Sequence, residues 1–402
     1  MEYIPRHLEQ TISTHRHGKS VIAVTGARQT GKSTMLRHMF KDVKEITLDD
    51  IRQKNLALTD PGLFISEKER PLYLDEIQYA PELLSFIKIE VDRDKGGGHY
   101  YLSGSQKFNM MKNMTESLAG RVAIFELLGL STREIQRIDF NLPFIPTKEY
   151  IDKRTPTARG FDSWEMIYRG GYPEMNAEDI DWHSFYSDYT KTYIERDVYQ
   201  QIQVADELKF INFMEVLAAR TGCILNMDEI SREVGVAQDT IKRWLLILKT
   251  SNIVYLLRPY SNNLTTRAIK APKLYFLDTG LAAYLTHWET RDVLRVGAKS
   301  GDFFETFVIG EILKSYYNAG RMPNNLYYYR DKDKREIDLV IERNGILHPV
   351  EIKSYSNPDI SDAQAFSVLG KKAPVGDGAI ICQCDEVMAL SRDVRAIPIW
   401  YI

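Results

Sequence analysis

The sequence predicts an α/β fold divided among several domains, and three stretches carry that reading. Residues 21–34, VIAVTGARQTGKST, pass from an apolar strand through a glycine-containing loop into a segment of helical periodicity. Residues 207–257 read helix, short helix, glycine-containing turn, longer helix, strand. Residues 301–355 read helix, β-hairpin, strand, with acidic residues set into the apolar runs. At 402 residues the chain exceeds one ordinary core, so two or three domains are expected.

Composition excludes several classes. Apolar residues make up 44% and charged residues 27%, ordinary for a soluble globular protein. The opening MEYIPRHLEQ has no apolar leader core, and no apolar run approaches a membrane span, so no membrane location is expected. Cys223, Cys382 and Cys384 cannot form a disulfide framework, and Cys382-x-Cys384 lacks the second ligand pair of a zinc site. Buried thiols in a reducing cytoplasm are the expectation. A net charge of −3 leaves any DNA binding to a local patch rather than a basic coat.

The first strand runs into Gly26-Ala27-Arg28-Gln29-Thr30-Gly31-Lys32-Ser33, a complete GxxxxGK[ST] P-loop, with Thr34 opening the helix. Its glycines let backbone N–H groups wrap phosphates at a helix N-terminus, where the dipole favours anions. Lys32 is expected to reach the β- and γ-phosphates and the Ser33 hydroxyl to bind Mg²⁺. A second apolar strand, RPLYLDEIQYA at 70–80, ends in Asp75-Glu76. In a Walker B pattern Asp75 holds Mg²⁺ through water, and Glu76 orients the attacking water. A third strand, HYYLSGSQ at 99–106, ends in Ser103 and Ser105, of which Ser103 is the preferred contact to the water and γ-phosphate. Arg121, in ESLAGRVAIFELLGLSTREI, is either a transition-state arginine, in cis or for a neighbouring copy, or a surface arginine at a strand start.

These motifs, with YRGGYPE (168–174), YIERDV (193–198) and LYFLDTGLAAYL (274–285), occur in this order. Together they resemble a bacterial and archaeal family of AAA-type ATPases carrying a C-terminal restriction-endonuclease-like domain. The resemblance covers nearly the whole chain and implies a nucleotide-dependent machine using ATP and Mg²⁺. Gly171-Tyr172-Pro173 resembles the Gly-x-Pro element with which signalling ATPases sense nucleotide from the lid. That makes Pro173 a candidate at the nucleotide, with Arg169 and Arg196 as alternative phosphate-sensing arginines.

In the middle, ELKFINFMEVLAAR (207–220), NMDEISREVG (226–235) and VAQDTIKRWLLILKTSNIVYLL (236–257) match the order of a winged helix-turn-helix. If this unit reads DNA, Gln238, Lys242 and Arg243 at the start of its second helix are the side chains to do so. The same fold serves equally as a lid, an oligomer contact or a dock for a protein partner.

At the far end, Asp338 lies in one strand and Glu351-x-Lys353 in the next, the arrangement of PD-(D/E)xK nucleases. Residues i and i+2 of a strand share a face, so Glu351 and Lys353 point the same way, and a neighbouring strand can bring Asp338 beside them. Asp338 and Glu351 are the candidate Mg²⁺ ligands, with Lys353 stabilising developing charge. Glu305 or Glu311 of GDFFETFVIGEILKSYY completes the set; they stand about 240° apart round a helix, and Glu305 is preferred. The alternative is plain: charges on the wet face of two amphipathic strands.

The expected division is an AAA-type P-loop core (1–135), a helical lid (136–205), a winged helix (206–264) and a PD-(D/E)xK nuclease-like α/β domain (265–402). The expected function is ATP hydrolysis acting on or with DNA and coupled to a Mg²⁺-dependent nuclease site. The alternative is a nucleotide-dependent switch that forms a homo-oligomer or signals through DNA or a protein partner, with a non-cutting C-terminal scaffold.

Overall fold

The computed structural model describes residues 2–94, 96–104, 117–154, 162–177, 179–193, 207–261 and 270–402. Ser105, Arg196 and nearly all of YIERDV lie outside them.

A five-stranded parallel sheet forms the N-terminal core. Its strands are β1 (Val21–Thr25), β2 (Lys44–Thr47), β3 (Leu72–Asp75), β4 (Tyr100–Gly104) and β5 (Val122–Glu126), in the order β2-β3-β4-β1-β5. The near-continuous apolar runs of β1, β3 and β4 follow from burial on both faces. Val21, Ala23, Leu72, Leu74 and Leu102 pack into one layer, while Ile22, Val24, Tyr73 and Tyr101 pack into the other. Because every strand runs the same way, the carboxyl ends of β1, β3 and β4 open together on one edge of the sheet.

The middle region contains the helices Glu207–Ala218, Met227–Val234 and Gln238–Thr250, then β6 (Val254–Leu257) and β7 (Lys273–Phe276). Asn226 caps the second helix by accepting from the N–H groups of Asp228 and Glu229, and Gly235 ends it at φ +71°. Trp244 packs its ring against Phe210 and Phe213, with centroids 5.2 and 5.4 Å away. β7 pairs antiparallel with β6, Leu257 opposite Lys273. The strand that follows residue 265 therefore pairs with the middle helices' strand.

The C-terminal sheet is mixed. Its strands are β8 (Leu326–Arg330), β9 (Glu336–Arg343), β10 (Ile346–Ile352), β11 (Gly378–Cys382), β12 (Met388–Ala389) and β13 (Val394–Pro398), ordered β12-β13-β11-β10-β9-β8. The β8–β9 register slips between Tyr327 and Tyr329, so Asp338 and Leu339 together stand opposite Tyr328. Such a bulge bends a strand and re-aims a side chain. The long helix Ser300–Asn318 covers the sheet and is buried from Phe303 onward except at Glu305, which is part-exposed. Cys382 and Cys384 are buried free thiols. No helix among the described residues is long and apolar enough to cross a membrane.

Candidate functional site

The P-loop follows β1 as a tight wrap. Gly26 adopts φ +154°, and a Cβ there would strike the Leu127 carbonyl, so only glycine fits. Gln29 and Gly31 also take left-handed φ, +59° and +86°. Thr30 Oγ1 donates to the Ala27 carbonyl at 2.9 Å and closes the loop on itself. The helix Lys32–Met39 starts directly from Gly31. Lys32 is buried, and its ammonium donates to the carbonyls of Gly26 and Ala27 at 3.1 and 2.7 Å. Arg28 is half-buried, whereas Gln29 and Thr34 are exposed.

The carboxyl ends of the neighbouring strands supply the chemistry. Ser33 Oγ donates to Asp75 at 3.0–3.1 Å, and the fully buried Ser103 also donates to Asp75. Tyr73 OH and Ser103 Oγ share a 2.7 Å hydrogen bond. Burial and the nearby Asp75 charge push the Tyr73 phenol well above its usual range, so it stays a neutral partner. Glu76 sits at φ +55°, a left-handed conformation that costs about 1–3 kcal/mol for a side chain with a Cβ, and Gln78 donates to its carboxylate. Ser33 and Asp75 thus offer a hydroxyl and a carboxylate within reach of each other, the oxygen donors Mg²⁺ takes beside a phosphate.

Pro173 reaches the same loop: a Cβ on Gly31 would lie 3.5 Å from Pro173 Cγ. The turn before it rests on the segment after β5, where Leu130 N–H donates to the Gly171 carbonyl at 2.6 Å. Asp278 holds that turn from the other side, accepting from Gly171 N–H at 2.7 Å and Tyr186 OH at 2.8 Å. Arg169 donates to the Met175 carbonyl at 2.5 Å and lies 3.9 Å from Glu165, contacts within the lid segment itself.

Arg121 is corrected as a residue acting in cis. It precedes β5, where Val122 pairs with Val21, so it stands at the amino end of the sheet, a full strand from the P-loop. Five residues at about 3.3 Å each separate those ends by roughly 16 Å. Its guanidinium pairs with Asp92 on the surface.

Two buried residues that sequence reasoning passed over join the loop to its surroundings. Arg6 donates to the Thr30 carbonyl at 2.8 Å, to the Leu128 carbonyl at 2.8 Å and to Glu134 at 3.1 Å. Burial pushes the Glu134 carboxyl up, but Arg6, His7 and the Ser131 and His7 N–H groups outweigh it and hold the group at about 2. Next to this latch, Glu311 of the long helix accepts from Thr132 N–H and Oγ1 at 2.8 and 2.9 Å, and Lys314 donates to the Leu130 carbonyl at 2.9 Å. Glu311 therefore serves the N-terminal domain, which leaves Glu305 as the helix acid on the C-terminal side.

That second cluster does assemble. Asp338 Oδ2 accepts from Ile352 N–H at 2.9 Å, beside the Glu351–Lys353 pair, whose Nζ–Oε1 distance is 2.8 Å. Glu305 accepts from Tyr275 OH at 2.6 Å and from Lys273 at 3.0 Å. Burial first, then the charge of Asp338, push the carboxyls of both Glu305 and Glu351 upward. Glu351 Oε2 is buried without a hydrogen-bond partner. Yet among the described residues no three His, Cys, Asp or Glu side chains converge to hold a metal ion. As metal ligands Asp338 and Glu351 are corrected: Asp338 faces a backbone N–H and Lys273, and Glu351 faces Lys353. The set does not fit Mg²⁺ as it stands.

Comparison with known proteins finds three matching stretches. Residues 18–136 match an AAA domain model, 161–292 a domain of unknown function (DUF8612), and 300–402 another (DUF4143). The N-terminal region is an AAA-type P-loop domain. Uncharacterized proteins of Mycobacterium bovis and Mycobacterium tuberculosis are each 29% identical over 389 residues, covering 95% of this chain and 80% of theirs. Among solved structures, a Walker-type ATPase of Pyrococcus abyssi aligns with TM-score 0.40 and 14% identity over 69% of this chain and 94% of that one. The Thermotoga maritima RuvB Holliday junction branch migration motor aligns with TM-score 0.28 and 14% identity, over 62% and 85%.

Within the AAA-type domain, the missed Glu134 did leave a local trace. Ser131-x-x-Glu134 is a capping box, and both of its reciprocal hydrogen bonds form. Arg6 left none, because its partners lie 24 to 128 residues away.

Proposed function

We propose that this chain hydrolyses ATP and uses the nucleotide state of its P-loop to set the arrangement of its C-terminal domain. The observation that carries this reading is the gathering of Ser33, Asp75, Glu76 and Ser103 at one sheet edge under Pro173. Backbone N–H groups of Gly26–Thr34 and the Lys32 ammonium would cradle the triphosphate, and Ser33 and Asp75 would hold Mg²⁺. An ion held there would supply charge neutralisation to the phosphates. Glu76 orients and polarises the attacking water, with Ser103 fixing Asp75 behind it. Phosphate release by wild type, Lys32→Ala and Glu76→Gln tests this. Hydrolysis should fall in both variants while Glu76→Gln keeps nucleotide affinity; equal rates in all three overturn the reading.

Action on DNA is supported by charge. A cleft of about 550 Å³ is lined by Lys270, Arg330, Lys332, Arg335, Lys371 and Lys372, against only Asp331 and Asp333. Arg330 pairs with Glu336 at 3.4 Å, which places the cleft beside the Asp338 cluster. Salt-sensitive binding of fluorescent duplex and single-stranded DNA, lost in Lys332→Ala/Lys371→Ala, is the expected result. Lys242 and Arg243, exposed on the helix Gln238–Thr250, are the second surface for DNA or a protein partner. Arg121, half-buried and turned away from its own P-loop, supports action on a neighbouring copy in a homo-oligomer.

A nuclease reading of the C-terminal domain rests on the proximity of Asp338, Glu351 and Lys353, and it requires Lys273 to leave the acids before a metal ion can enter. DNA cleavage with Mg²⁺ or Mn²⁺ that is lost in Lys353→Ala would sustain it, and its absence would leave the domain a scaffold.

A further inference from the structure

The acids of the C-terminal cluster already hold a positive charge at their centre, and it arrives from outside the C-terminal sheet. Lys273, the first residue of β7, lies with its Nζ 3.0 Å from Glu305, 2.5 Å from Glu336 and 3.6 Å from Asp338. Its side chain is 4% exposed. Burial alone would push this ammonium down, but the charges of Glu305, Asp338 and Glu336 push it up further and keep it protonated. Tyr275, two residues along the same strand face, donates to the same Glu305 oxygen.

A divalent ion of the Mg²⁺ kind needs near-octahedral oxygen ligands at about 2.0–2.1 Å. Carboxylate oxygens of Glu305, Glu336 and Asp338 instead turn to one ammonium. Two cations within a few ångströms of each other in a buried site repel strongly, so lysine and metal compete for one place.

We infer that Lys273 is the resident cation of the Glu305–Glu336–Asp338 cluster and excludes divalent metal from it. The inference rests on the reading of Asp338, Glu351 and Lys353 as a D…ExK-type cluster and names what controls that site. The lysine's carrier strengthens it. β7 pairs with β6 of the middle region, and two residues beyond its end Asp278 grips the Gly171 turn whose Pro173 lies on the P-loop. The stopper and the nucleotide-facing turn thus share one short segment.

The test is Mn²⁺ binding to the full chain without nucleotide, read from the electron paramagnetic resonance of free Mn²⁺. Wild type, Asp338→Asn, Lys273→Gln and Lys273→Gln/Asp338→Asn are compared, so metal bound at the P-loop is common to all. Wild type and Asp338→Asn should bind alike. Lys273→Gln should gain one Mn²⁺ equivalent, at least about tenfold tighter than wild type shows at this site, that the double variant lacks. An Asp338-dependent equivalent already present in wild type overturns the inference, as does a folded Lys273→Gln that gains none. Should Lys273→Gln fail to fold by circular dichroism, the wild-type and Asp338→Asn pair decides: equal binding supports exclusion and unequal binding ends it. DNA cleavage by Lys273→Gln separates the two readings, since a metal gain without cleavage removes the nuclease and leaves the stopper.

Discussion

At the carboxyl end of β3, Asp75 is met by two hydroxyls, from Ser33 and Ser103; in the C-terminal cluster, Asp338 is met by a backbone N–H and a buried ammonium. The P-loop lysine, by contrast, rests on the carbonyls of Gly26 and Ala27. Both regions gather acids in partly dry surroundings, but they balance them differently. Hydroxyls satisfy an acid's lone pairs without neutralising it, which leaves the first site receptive to a cation arriving with its nucleotide. An internal lysine neutralises the second in advance. Acidic residues brought together by a fold therefore mark a cation's place, and the neighbours decide whether that cation is borrowed or built in.

The comparison is broken most directly at the P-loop. Lys32→Ala should lower the turnover of ATP on the order of 100-fold or more, measured as phosphate release. If the rate barely moves, the nucleotide-receiving half of the contrast is gone. The next largest effect belongs to the latch behind it. Arg6→Ala strands the buried Glu134 charge and should destabilise the protein by about 3–5 kcal/mol, seen as an earlier unfolding midpoint in urea.

Glu134 also sets a pH dependence. Its carboxyl is held at about 2 when folded, below its usual 4.5, so its contribution is fully present above 4.5 and is lost as pH falls through 2. Over that window about 3 kcal/mol of stability should disappear, and a Glu134→Gln variant should show a flatter acid limb in a chemical-denaturation series. A comparable loss, about 3–5 kcal/mol, is expected for Glu311→Ala, which leaves the buried Lys314 ammonium without its carboxylate and Thr132 N–H without its acceptor. The smallest concerns Arg121→Ala, which should change stability by less than about 0.5 kcal/mol. Its effect on ATP turnover should grow with protein concentration; a deficit equally large at every dilution would restore a role within its own chain.

What could be read beforehand follows the reach of each interaction. The P-loop and Asp75-Glu76 were legible because a strand, a turn and a helix start are written in consecutive residues. The choice between Glu305 and Glu311 was half legible: 600° of helix keeps them on different faces, but which one meets Asp338 depends on how the helix docks. Lys273 gave no warning, since a lysine heading an apolar strand reads as a solvated end. Arg121 misled for the converse reason, because a strand-leading arginine carries no mark of which sheet edge it occupies.

By itself the sequence determined the local chemistry: the phosphate-cradling loop, the Walker B acids, the Asn226 and Gly235 helix ends, and the i, i+2 pairing of Glu351 with Lys353. Those depend on backbone geometry over a few residues. Only the tertiary structure decided that Arg6 bridges the P-loop to Glu134, that Glu311 of the C-terminal helix bonds into the AAA-type domain, and that Lys273 lies among the C-terminal acids. Charges act through space, and Lys273 and Asp338, 65 positions apart in the chain, are brought to 3.6 Å by packing alone.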